Sequence, residues 1–213
     1  MVLEAGSAGP LAHLGLGVAA QRKAGAGERA RLDGVQEVAL VLAAIDAALP
    51  RAMENPGNLD ARGALLCAAT MAGAAFNNAM VGLVHAIAHA LGGISSVHHG
   101  LANSIMLPHV VRFNAETHAN LYLPVADALG LRDRPDSRVP EAGHALEIVL
   151  AVADRLERLA ASSGIATRLS EAEVSESDLP AVAELALSDG AIINNCRPVS
   201  GSEDVMKLLR AAL

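Results

Sequence analysis

From Arg31 to Leu49 the chain reads RLDGVQEVALVLAAIDAAL, with Leu32, Val35, Val38, Leu42, Ile45 and Leu49 recurring at threes and fours. That period places them on one stripe of an amphipathic helix. Pro50 has no amide hydrogen and is expected to limit the helix there. Asn55, Pro56 and Gly57 supply turn chemistry, and helical composition resumes at Leu59, where Ala68, Ala69, Ala72 and Ala75 suit the close approach of another helix. Gly92 and Gly93 predict the end of the segment that carries His85 and His89. Pro108 restricts Leu107 and predicts a bend or a new helix start. Residues 130–143, GLRDRPDSRVPEAG, read as a polar surface loop, followed by a helix over about His144 to Ala161. Ser175 or Ser177 stands at the cap of a short helix ending at Gly190, and Ser202 is placed to cap a terminal helix with Glu203 and Asp204 in its first turn. No segment sustains the alternation of a strand, and no internal repeat is visible. The expected fold is all-α, a helical bundle.

Composition supports that reading. Hydrophobic residues make up 52% of the 213 positions, yet Trp is absent and there are only one Tyr and two Phe, so Ala, Leu, Val and Ile must build the core. The formal charge of −7 comes without a Lys/Arg stripe, which argues against a nucleic-acid partner. Cys67 and Cys196 fit neither a CxxC site nor a disulfide framework. MVLEAGSAGP lacks the basic start and apolar run of a signal peptide, and Asp46, Asn77 or glycines break the longest apolar stretches. A cytoplasmic protein with no membrane partner is expected.

Candidate chemistry concentrates in one place. VHAIAHALGGISSVHHGLAN carries His85, His89, His98 and His99, four of the eight histidines in the chain. His85 and His89 are four apart, so on a helix they face the same way. A zinc-protease helix would place Glu directly after the first His, but the residue here is Ala86. His99 lies beyond the glycine pair and could return to the same point. Three imidazoles with an open position would suit a divalent first-row metal acting as Lewis acid. The other reading is that these are core or surface histidines with backbone partners.

AGAAFNNAMVGLVHAIAHALGG, followed by HHGLANSIMLPHVVRFN, resembles the helical C-terminal domain of the iron-containing (group III) alcohol dehydrogenases, a dehydroquinate synthase-like fold. The resemblance combines AFxNAxxGxxHAxAHxLG with HGxxNxxxLPxVxxFN and extends to the end of the chain. There, NNCRPV matches an NPRP-like turn with Cys196 in place of the first Pro. It implies that His85 and His99 are metal ligands, that His89 is the catalytic neighbour of nicotinamide and substrate, and that Phe76 and Asn78 shape the cofactor cleft. His98 matches no ligand of the family.

In complete family members a DAxxHxxE-like helix gives two further ligands, an aspartate and a histidine. The best counterpart is SAGPLAHLGLGVAA, which aligns His13 with that histidine but puts Gly9 at the aspartate and Leu16 at the glutamate. Losing the carboxylate should weaken divalent metal binding. The family's glycine-rich GGGSxxD-like loop, which holds the dinucleotide pyrophosphate, has no counterpart; AGAGER from Ala24 reads as a polar linker. Residues 1–213 are therefore expected to form a single helical metal-binding, catalytic domain, with 1–30 matching weakly and the N-terminal nucleotide-binding domain absent.

The resemblance implies an oxidoreductase using Fe2+ or Zn2+ and NAD(P), acting on a small alcohol or aldehyde. A separate nucleotide-binding domain and self-association into a homo-oligomer are the partners it implies. Two other readings stay open: a non-catalytic helical fragment or interaction module with a degenerate metal site, and a histidine-based metal-binding protein without redox function.

Overall fold

The computed structural model describes the backbone of residues 26–132 and 142–213, and the side chains from residue 39 onward within them, except at 78, 79 and 142. The described residues form helices α1 (Ala26–Glu54), α2 (Leu59–Ala79), α3 (Leu83–Ser95), α4 (His99–His118), α5 (Leu123–Ala128), α6 (Ala142–Ser162), α7 (Leu179–Ser188) and α8 (Ser202–Ala212). Three 3-10 turns, Ala119–Tyr122, Glu176–Asp178 and Gly190–Asn194, join some of them, and no strand occurs among the described residues. The all-α expectation holds.

The hydrophobic pattern sorts these helices into layers. α4 carries buried residues on more than one side, among them Ala102, Ile105, Met106, Val110, Val111 and Ala115, and so sits centrally. One side of it joins α3, α7 and α8 in the main core, with Ile87, Leu91, Leu179, Val182, Val205 and Leu209 fully buried. The other side meets Val149 and Ala153 of α6. α1 pairs with α2 and with α5, where Ala39 packs with Val125, Ala126 and Val152. Arg155 of α6 grips Asp46 of α1 through two hydrogen bonds of 2.7 and 2.9 Å. The Leu59–Asn77 stretch of α2 is long and apolar enough to cross a membrane by length and composition, with a mean hydropathy of 1.2. Here it lies along α1, with Asp60 in its first turn.

Several punctuation signals act differently from expectation. α1 runs through Pro50 to Glu54, because the lost hydrogen bond is local whereas packing on α2 and α5 extends along the helix. α3 passes through Gly92 and Gly93 and ends at Ser95, where Ser96 takes the left-handed conformation at φ 56° and its amide reaches Leu91 O. At Gly93 a Cβ would stand in ordinary van der Waals contact, 3.5 Å from Leu185 Cδ2, so the position neither ends the helix nor needs glycine for space. Pro108 lies buried inside an uninterrupted α4. Ser175 does cap, but it caps the Glu176–Asp178 turn in a capping box with Asp178. α7 stops at Ser188, and Gly190 opens the next turn rather than ending the helix. Ser202 is the first residue of α8, one place past the cap position held by Gly201. The helix expected over His144 to Ala161 is α6, and residues 133–141 of the expected loop lie outside the described residues.

Candidate active site

α3 buries Leu83, Ala86, Ile87, Ala88, Ala90 and Leu91 in the main core, which leaves His85 and His89 on the remaining stripe of the helix. The turn through Ser96, Val97 and His98 then starts α4 at His99. Buried Val97 and Ala102 fix that turn in the core, so the first residue of α4 returns toward α3.

Three imidazoles meet there. The ring centroids of His85 and His99 are 5.4 Å apart, those of His89 and His99 are 5.2 Å apart and stacked, and those of His85 and His89 are 6.2 Å apart. Phe76, from the end of α2, lies 6.5 Å from His85 by ring centroid. Met80 holds φ 65° and returns its amide to Phe76 O, which stops α2 at this rim. His98 occupies the cap position of α4, outside the ring contacts of the other three. The side chain of Asn78 and the whole of His13 and Gly9 lie outside the described residues.

Two polar contacts orient the cluster, and neither was foreseen from the sequence. Asp189, which ends α7, places Oδ2 2.7 Å from His89 Nδ1, while its Oδ1 accepts from the amide of Ala191 at 2.8 Å. Asn103 donates to the main-chain carbonyl of His99 at 3.0 Å and stands 2.9 Å from its Nε2, and Asn103 Oδ1 is buried without a partner. The sequence signals for Asn103 were its fixed place in the HGxxNxxxLPxVxxFN block and its position four residues after His99, facing the same side of a helix. For Asp189 the sequence offered only a helix-end Asp-Gly.

A second network secures the segment that carries Asp189. Asn114 of α4 and Asn195 exchange side-chain hydrogen bonds of 2.8 and 3.2 Å, and Asn114 also donates to Tyr122 Oη at 2.9 Å. Asn194 Nδ2 donates to Val81 O at 3.3 Å, just before α3. Arg197 bonds Phe113 O and Glu116 and lies 3.8 Å over the Phe113 ring. Burial, reinforced by Cys196 beside it, holds the Tyr122 phenol above its ordinary value, so it stays neutral.

Electrostatics follow the geometry. Burial pushes the His85 imidazole below its ordinary value, and the neighbouring His99 and His89 act in the same direction. The Ala191 amide, then the His89 hydrogen bond, hold the Asp189 carboxyl below the usual carboxylate range. Beside His85 opens a cavity of about 610 Å³, bounded by Phe76 and Asn103 and walled chiefly by apolar residues such as Leu42, Leu49, Leu107 and Leu156.

The fit to a metal rests on the donor set. Two imidazoles sharing one tetrahedral ion, each nitrogen ~2 Å from it, place their ring centroids roughly 5 Å apart. The His85–His99 separation of 5.4 Å is of that size. Among the described residues no group of three His, Cys, Asp or Glu stands at metal-holding geometry, and the nearby carboxylate of Asp189 is engaged by His89. His99 Nε2 is also taken up by Asn103, so an ion would use Nδ1 or displace the amide.

The profile of the family described as "Fe-containing alcohol dehydrogenase family, C-terminal" matches residues 34–213. The chain belongs to that family. It is 36% identical over 165 residues to 1,3-propanediol dehydrogenase of Citrobacter freundii, covering 77% of this chain and 40% of that protein. It is 34% identical over 165 residues to the NAD-dependent methanol dehydrogenase of Bacillus methanolicus, covering 78% and 41%. The crystal structure of a 1,3-propanediol oxidoreductase superposes with a TM-score of 0.72 at 33% identity, over 83% of this chain and 44% of that one. The chain thus spans about two fifths of the length of the curated relatives it matches. The alcohol dehydrogenase family and its all-α C-terminal fold stand as expected from the two motif blocks.

Proposed function

We propose that this chain supplies the metal- and substrate-binding part of an NAD(P)-linked alcohol dehydrogenase interconverting a small alcohol with its aldehyde or ketone. The observation that carries the reading is the convergence of His85, His89 and His99, with His85 lining an apolar cavity. His85 and His99 would hold a divalent iron or zinc ion, with His13 or water completing the set. When bound, such an ion polarises the substrate oxygen and stabilises alkoxide character during hydride transfer to nicotinamide. The lowered proton affinity of His85 keeps its ring neutral and available as a ligand near neutral pH. His89 exchanges the alcohol proton from the edge of the cluster, where its side chain is 48% exposed. The cavity wall of Leu42, Leu49 and Leu107 receives the carbon chain of the alcohol and excludes water from it. Phe76 and Asn78, at the end of α2, shape the cofactor side. The nucleotide-binding part would come from a region or chain beyond these residues, and the assembled enzyme would be a cytoplasmic homo-oligomer.

Metal content tests this reading. After anaerobic reconstitution with Fe2+ or Zn2+, the wild type should retain close to one ion per chain, and His85→Ala should retain none. Equal metal in the two proteins, or none in either, would remove the basis for the assignment. The isolated chain should not oxidise NAD(P)H with an aldehyde; turnover by it alone would show that the nucleotide-binding part is not required.

A further inference from the structure

We infer that Asp189 is a positioning residue for the proposed proton chemistry of His89, holding the imidazole with its proton on Nδ1 and leaving Nε2 as the acceptor. The inference rests on the reading of His89 given above, but the proton position itself can be tested separately.

Three observations carry it. The contact is short, 2.7 Å from Nδ1 to Oδ2, and spans 100 residues of sequence, so tertiary structure and not helix geometry creates it. Asp189 is anchored at both ends: Oδ1 accepts from Ala191, and the following turn is tied to Val81, just before α3, through Asn194 and to α4 through Asn195. The Asp189 side chain is only 24% exposed, against 48% for His89, so the carboxylate forms the more enclosed side of the pair.

An ionised carboxylate only accepts hydrogen bonds. The neutral imidazole must therefore donate from Nδ1, which fixes the tautomer and restrains ring rotation. The ring then remains parallel to His99 within 17°. When Nε2 takes a proton from substrate or a bridging water, the carboxylate stabilises the imidazolium that results, without itself becoming protonated. Sequence spacing around the histidines contains no trace of this partner.

The test reads the proton directly. Long-range 1H–15N spectra of the metal-free full chain would be recorded at about pH 8, where ordinary imidazoles are neutral, with the His89 signals assigned by their loss in His89→Gln. In the wild type, Nδ1 of His89 should give the shift of a protonated, pyrrole-type nitrogen. Asp189→Asn can keep the Ala191 cap through its amide oxygen while its NH2 donates to Nδ1, so the proton should move to Nε2. Asp189→Ala should give a mixture of the two tautomers. A pyridine-type Nδ1 in the wild type, or a tautomer unchanged in Asp189→Asn, would overturn the inference. The wild-type spectrum decides the proton position even if a variant fails to fold. Metal retention measured on the same proteins after anaerobic reconstitution with Fe2+ or Zn2+ separates the two readings. The expected tautomers without any metal would sink the dehydrogenase reading and leave the Asp189–His89 pair standing.

Discussion

His109 of α4 lies in a recess with Glu157, Arg158 and Arg168 that none of the three clustered histidines lines. Burial, then the charges of Arg112 and Arg168, hold its imidazole below 6.5, while Glu157 opposes them. The unfolded chain takes up a proton near the ordinary histidine value, and the folded chain resists until lower pH, so stability falls as pH drops through that value. In His109→Gln, the urea midpoint should vary less between about pH 7 and about pH 5 than in the wild type. Identical slopes would show that His109 does not contribute. His85 has the same sign, so part of the slope should persist. At this scale, legibility depends on sequence distance. His85, His89 and His99 were readable because helix periodicity and one turn bring them together. Asp189 was not, because a contact across 100 residues leaves no local pattern.

Among the elements, α3 couples site and core most directly: one stripe presents His85 and His89 while the others hold the main core. Ile87, between the two histidines, is fully buried. Ile87→Ala should cost about 2–5 kcal/mol in chemical denaturation, whereas Ile87→Val should cost about 0.5–1.5 kcal/mol. The Asn114–Asn195 exchange joins α4 to the segment after Asp189, and Asn114 is only 3% exposed. Asn195→Ala leaves one side of that buried amide pair unmet and should destabilise the fold by about 1–3 kcal/mol. A variant as stable as the wild type would show that water satisfies Asn114. Helix existence was legible from apolar periodicity, but helix ends were less so. Pro50, Gly92, Gly93 and Pro108 read locally as breakers, yet each lies within a helix whose long-range packing outweighs the local penalty.

Over the whole molecule, the chain carries the C-terminal part of its family's architecture and spans about two fifths of its curated relatives. Its rim is open: Phe76 is 52% exposed, Met80 61% and Ile193 82%. The cluster presents His89 and His99 to solvent as well. A half-buried and an exposed imidazole four apart on a helix, with an exposed third ring beside them, are suited to gripping a surface-bound nickel ion. The untagged chain should therefore act as its own affinity handle, staying on a chelated-nickel column until imidazole competes it off. A His85→Ala, His89→Ala double variant should pass through early, and equal retention of the two would assign the grip to histidines elsewhere.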